Sequence, residues 1–430
     1  MSLKGLLGFS ERYNFKKGPM YDRFLLFIVF FLLAVGLVVV YTASISFAEK
    51  SFHDSLYFVK RQLFCIVLGL GIGFLVINIP ARIYAKLGES KALAAVTILC
   101  IVTACFGVEI KGARRWINLV VFNFQAAELL KLVWIVYLAG YIQRHQNHMT
   151  QIWQAIKPIL FLCFFVIIVG VYQRDFGTCA ILFAITFTLL FLSGLKIKHV
   201  LIFLAGSGFL GCILILTQSY RVQRFVSYLD PWKYYDGSSY QLTMSLMALG
   251  RGEIEGQGLG NSVIKLEYLP DAHTDFVTAI WGEETGMIGM LLILLFEFLM
   301  VYRVLLTGIT SLKSETNRDI TNGLICVGIG IWLLTQVFIN IGSAIGLTPT
   351  KGLTLPLISY GGSSLLMILV ALSMVIRISY ERRLNALMEK EANIRVAKAK
   401  RKKNKDKEKD LNQEIKENTS EPQKQLEDSK

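Results

Sequence analysis

Stretches of about 18 or more predominantly apolar residues recur along most of this chain, and that pattern excludes nearly every soluble architecture. They centre near residues 24–46, 63–79, 84–106, 126–142, 159–172, 178–195, 200–216, 276–306, 320–345 and 358–378. A soluble core has no use for so many segments that are apolar on every side. Hydrophobic residues make up 54% of the 430, against roughly 45–50% in soluble domains. The expected fold is an all-α polytopic membrane protein of about ten transmembrane helices.

An even number of spans returns both termini to one side, and basic residues say which side that is. Arg82, Lys86, Lys91, Arg144, Lys157, Lys196, Lys198, Lys313 and Arg318 all fall in loops that alternate to the cytoplasm. Residues 1–21 carry Lys4, Arg12, Lys16 and Lys17 without an apolar core, and read as a cytoplasmic leader before a retained helix. The membrane domain then runs 22–380, and 381–430 reads as a basic, disordered cytoplasmic tail, with a helical start, that anionic headgroups would attract. The net charge of +14 is explained by this topology and does not point to nucleic acid. The seven cysteines lie in or beside apolar stretches with no C-x-x-C, and the five histidines are dispersed. Neither a disulfide framework nor a metal site is indicated. There is no Gly-x-x-x-x-Gly-Lys-Ser/Thr loop for ATP. No internal repeat is visible, which disfavours inverted-repeat transporters.

Two places break the charge rule. Lys111, Arg114 and Arg115 fall outside between the third and fourth spans, followed by Trp116, and Lys351 falls outside between the ninth and tenth. Either strong flanking helices tolerate these cations, or an anionic ligand uses them. The largest polar segment, 218–274, is also outward, and its aromatic residues argue for order. Within it Gly256-Gln-Gly-Leu-Gly260 lacks a strand-turn-helix context and reads as a pliant loop.

Ionisable residues inside or at the ends of the spans are few: Glu128, Lys131, Arg174, Asp175, Asp275, Glu283, Glu284 and Glu297. Each is costly in a membrane unless it faces protein or water. Glu128 and Lys131 are three apart and can neutralise each other on one helix face, or hold a ligand. Asp275 stands where the eighth span starts. Placed on that helix, it would differ from Glu283 by only about 80° in direction. A carboxylate there, with outward cations near it, suits a general base opposite an anionic leaving group; capping of the helix start is the other reading.

Six stretches carry a resemblance: KGARRWI (111–117), FQAAELLK (124–131), DFGT (175–178), residues 239–276 ending KLEYLPDAHTDF, GEETG (282–286) and PTKGLTLPLISYGGSS (349–364). Together they resemble the SEDS family (shape, elongation, division and sporulation), membrane glycosyltransferases of peptidoglycan, over roughly 22–382. GQGLGNS followed by KLEYLP resembles the division member more than the elongation member. The chain departs from the family at Gln125-Ala126, where Gln-Pro is usual, at Arg174, where a Pro often stands, and at Asp271, usually Glu. The resemblance implies polymerisation of lipid II into glycan at the outer membrane face, with undecaprenyl pyrophosphate leaving. Asp275 falls on the family's catalytic Asp. Candidate substrate-binding residues are Lys111, Arg114, Arg115, Trp116, Glu128, Lys131, Lys351 and Ser359, and Glu267 and Tyr268 are candidates for loop activation. No cofactor is implied beyond a divalent cation, Mg or Mn, accompanying the pyrophosphate. The implied partners are a class B penicillin-binding transpeptidase and divisome regulators, at the division septum. A lipid II flippase, the elongation polymerase of the same family and a divisome scaffold are the alternatives.

Overall fold

The computed structural model describes residues 21–87, 90–110, 113–119, 122–146, 152–194, 198–199, 201–202, 205–206, 219–237, 239–313 and 317–427. In chain order its elements are α1 (Arg23–Phe52), α2 (Tyr57–Asn78), α3 (Ala81–Leu87) and α4 (Ser90–Phe106), then strands β1 (Val108–Ile110), β2 (Ala113–Asn118) and β3 (Asn123–Gln125). There follow α5 (Ala126–Arg144), α6 (Ile152–Tyr172), α7 (Phe176–Leu192), α8 (Ser219–Leu229), α9 (Tyr240–Gly252), α10 (Val277–Leu312), α11 (Asn317–Ala344) and α12 (Gly362–Glu427). Six of these helices are long and apolar enough to cross a membrane, and three shorter apolar ones accompany them. This is a multi-pass membrane protein. The leader 1–20 and most of the seventh expected span, 200–216, lie outside the described residues.

The lipid-facing surface is legible in α10. Met287, Ile288, Leu291, Leu295, Phe298 and Tyr302 repeat at helical spacing and are all exposed, the apolar face that a bilayer rather than water would cover. At the centre the opposite holds. Nearly every residue of α5 is buried, and Trp134 of α5 and Trp332 of α11 are both fully enclosed.

The third expected span is represented by α3 and α4, with residues 88–89 between them outside the described residues. Three details differ from the sequence expectation. Between α4 and α5 the chain forms a three-stranded antiparallel sheet, pairing Glu109 with Arg114 and Trp116 with Gln125. Its Val, Ile, Trp and Phe residues suit strands, but three residues are too few to show a period. The segment 218–274 is not a bare loop, since it contains α8 and α9. The last helix begins at Gly362, leaving 351–360 non-helical yet largely buried.

The chain divides into two compact units, Met1–Ser379 and Tyr380–Lys430. The second, expected to be a disordered tail, is helical through Glu427; its Ala, Lys, Glu and Gln content favours helix over coil. Everything below concerns the first unit.

Candidate active site

Asp275 lies in a run of turns, not on a helix. The backbone N–H groups of Thr274, Asp275 and Phe276 all donate to the carbonyl of Asp271, at 3.1, 3.2 and 3.4 Å, and Asp271 itself takes a positive φ of 60°. The N-cap position of α10 belongs to Phe276 and carries no side-chain hydrogen bond. The helical phase between Asp275 and Glu283 therefore does not apply, and Asp275 is not the N-cap residue of α10.

Facing this turn is the buried non-helical segment 351–360. Backbone away from helices is tolerated at membrane depth only where protein satisfies its polar groups. Here side chains do so. Gln336 Nε2 donates to Thr354 O at 2.8 Å, Asn340 Nδ2 to Leu353 O at 2.6 Å and Gln62 Nε2 to Ser359 O at 3.3 Å. The Ser359 hydroxyl accepts from Leu355 N at 2.9 Å. Ser359, a candidate for substrate binding, is instead buried and committed to closing this turn.

The two segments meet at Asp275. A methyl group added to Gly352 would lie 3.1 Å from Asp275 Oδ2, so the carboxylate rests against the backbone that follows Lys351. Asn340 Nδ2 also donates to Asp275 O, at 3.0 Å, and Tyr360 N donates to His273 O at 3.1 Å. The His273 ring sits among Phe47, Phe58 and Tyr360, with centroids 5.7, 4.3 and 5.9 Å away.

The outward cations converge on the same end of the helices. Lys351 Nζ lies 5.2 Å from the centre of the Phe176 ring, at the start of α7. The preceding residue, Asp175, caps α7 by accepting from Thr178 N at 3.1 Å and from Thr178 Oγ1 at 2.9 Å. It also accepts from Gln125 Nε2 at 2.8 Å and holds Arg115 Nη1 at 3.8 Å. Strand β2 thereby delivers Arg115 to the α7 start, where its Nε is buried without a hydrogen-bond partner. Arg114, one residue along, points to the other side of the strand, exposed and paired with Glu109 at 3.2 Å. Trp116 is half-buried in β2, and Lys111 lies outside the described residues.

Glu128 and Lys131 pair at 2.8 Å, but both are buried, Lys131 completely. Lys131 Nζ lies 4.9 Å from the Trp332 ring centre, and Trp332 Nε1 donates to Gln336 Oε1 at 2.8 Å. Through Trp332 and Gln336, Lys131 is thus linked to segment 351–360. Glu297 is also fully buried, five turns down α10, with neither carboxylate oxygen hydrogen-bonded. Among the described residues no group of three His, Cys, Asp or Glu is placed to hold a metal.

Behind the site, α10 is broken at Gly286, with φ 65° and ψ −165°. Residues 253–258 pair with the break through backbone bonds: Gln257 N to Glu283 O at 2.9 Å, Gly258 N to Glu284 O at 2.9 Å, Met287 N to Glu253 O at 3.0 Å and Ile288 N to Ile254 O at 3.3 Å. The glycines expected to make a pliant loop instead form a latch. Below it, Glu283 accepts from Val263 N and pairs with Arg251 at 3.0 Å, and Glu284 pairs with Lys265 at 2.8 Å.

Glu267, with φ 68°, forms an ion pair with Lys50 at the end of α1; Tyr268 is exposed. Both partners of the pair are accessible, so it contributes about 1 kcal/mol or less. Glu267→Ala should leave the melting temperature nearly unchanged while altering the rate of the reaction proposed below. Equal rates across a Glu267 and Tyr268 substitution series would remove the segment from any role in activation.

Known proteins resemble this chain over most of its length. The family model described as cell cycle protein (FtsW, RodA, SpoVE) matches residues 23–384, and the chain belongs to that family. A protein of Haemophilus influenzae named probable peptidoglycan glycosyltransferase FtsW is 40% identical over 373 residues, 86% of this chain and 92% of that one. The protein of the same name from Tolumonas auensis is 43% identical over 376 residues, covering 86% and 96%. Among solved structures, a chain from a study of polymerisation and crosslinking by a peptidoglycan synthase complex superposes with a TM-score of 0.69 at 27% identity, covering 84% of this chain and 98% of that one. The rod shape determining protein RodA of Thermus thermophilus gives 0.60 at 26%, covering 84% and 97%.

Proposed function

We propose that Asp275 is the general base of glycan polymerisation at the outer face of the cytoplasmic membrane. The chain is a peptidoglycan glycosyltransferase of cell division, and the apposition of the Asp275 carboxylate to Gly352, beside Lys351, is the observation that supports this chemistry. The substrate is lipid II. The 4-hydroxyl oxygen of the acceptor sugar attacks the anomeric carbon of the donor, with inversion. Its proton passes to the Asp275 carboxylate as the new C–O bond forms. The bond from the anomeric carbon to the diphosphate oxygen breaks, and undecaprenyl pyrophosphate leaves with the electron pair. Arg115 and Lys351 face the charge that builds on that leaving group, where fixed cations lower the barrier most. No nucleotide takes part, because the donor carries its own leaving group. A Mg or Mn ion would enter as the pyrophosphate's counter-ion.

The partner we propose is a class B penicillin-binding transpeptidase, with the pair working at the division septum; a fluorescent fusion spread evenly along the cell wall would overturn the septal assignment. The purified chain, reconstituted with that transpeptidase, should convert lipid II into glycan, and failure to form polymer would overturn the reading. Within that assay Lys351→Met and Arg115→Ala should each lower kcat by about 10²-fold, the scale of losing one preorganised donor to a developing anion. An unchanged kcat in both would separate these cations from the leaving group.

A further inference from the structure

We propose that Asn340 is the positioning residue that sets the distance between the base and the pyrophosphate cation, an inference that rests on the role given to Asp275. Asn340 lies near the end of α11 and is fully buried, in an apolar stretch running Val337-Phe-Ile-Asn-Ile341. A carboxamide in such surroundings is costly unless it is hydrogen-bonded. Both of its N–H donors are used, on Asp275 O at 3.0 Å and Leu353 O at 2.6 Å. Its Oδ1 is buried and accepts no hydrogen bond. The side chain is therefore present for its donors, and it spends them on two carbonyls that belong to different non-helical segments.

Those two carbonyls flank the site. One belongs to the base itself. The other belongs to Leu353, two residues after Lys351 and next to Gly352, against which the carboxylate rests. A hydroxyl at this position supplies one donor and a carboxylate none, so only a carboxamide of this length joins both strands of backbone. Gln336, one turn earlier on the same face of α11, holds Thr354 O but does not reach Asp275. Without Asn340 the segments keep the bond from Tyr360 N to His273 O, so the fold has a second tie. What they lose is the fixed spacing at the chemistry.

The test uses the full-length chain with its transpeptidase in proteoliposomes, supplied with lipid II. Wild type and Asp275→Asn are measured first; an inactive wild type or an active Asp275→Asn would fail the parent reading and is distinguishable from failure of this one. Asn340→Asp keeps the shape but turns two donors into acceptors facing carbonyl oxygens, and Asn340→Ala removes the group. Both should lower kcat by about 10²-fold, the usual consequence of a displacement near 1 Å at a reacting group. The KM for lipid II should stay within about twofold, because binding groups are untouched. Should Asn340→Asp not fold, Asn340→Ala decides. A kcat within threefold of wild type for the folded protein overturns the proposal. So does a kcat loss accompanied by a matching rise in KM, or failure of both variants to fold, since either makes Asn340 a general structural residue.

Discussion

Asp275→Asn protein is expected to purify and melt like wild type yet to polymerise lipid II about 10³-fold more slowly, within the range of roughly 10²–10⁴ that a general base supplies. The substitution is close to isosteric, and the described bonds that hold the turn run through backbone: Asp275 N to Asp271 O and Asn340 Nδ2 to Asp275 O. What changes is the capacity to take a proton from the attacking hydroxyl. Since attack and proton loss are coupled in the transition state, kcat falls and KM for lipid II does not rise in proportion. Full activity in this variant would sink the assignment. Lipid II translocation that survived Asp275→Asn, with no polymer made by wild type, would move the chain from synthesis to transport.

Gly286→Ala is expected to be strongly damaging, costing more than about 3 kcal/mol through backbone strain and lost hydrogen bonds together. At φ 65° and ψ −165° Gly286 occupies a region that side-chain-bearing residues avoid. An added Cβ would lie 2.4 Å from Ile254 O and 2.5 Å from Gly256 N. Both neighbours are backbone, so neither can rotate aside. The latch must open or α10 must straighten, and the four backbone bonds between 253–258 and 283–288 are at stake. Thermal melting in detergent should show a fall of several degrees, with reduced yield of monodisperse protein. An unchanged melting temperature would mean that the break does not depend on glycine.

Long apolar runs made the helices legible, and their order with the basic loops made a membrane protein the only reading. The acid at Asp275 was visible as a charge where an apolar span begins. Its geometry was not: a continuous apolar pattern from 276 onward hides both the turn before it and the break at Gly286. The segment 351–360 falls mostly in the outward connection expected between the ninth and tenth spans, with only 358–360 expected as span; its burial was not legible because its support comes from residues far away in sequence. Asn340 and Gln336 were missed for the same reason. The available signal was their spacing, two amides four residues apart on one face of an apolar helix, since polar side chains at that depth face protein. Glu128 and Lys131 illustrate the reverse. Their pairing followed from spacing, but the packing of Lys131 against Trp332, which links it to the segment above, is visible only in the fold.

The break in α10 also has a mechanical meaning. Because 283–288 is bonded backbone to backbone with 253–258, the polar segment takes up the hydrogen bonds that the break in α10 releases, while Val277, Ala279 and Ile280 before it stay in the core. The helix is two rods joined at Gly286, and the turn that carries Asp275 precedes the short one. The short rod is thereby held at both ends, by the latch beside Gly286 and by the bond from Asn340 to Asp275 O. A helix interrupted in this way is anchored by other parts of the chain rather than by its own continuation.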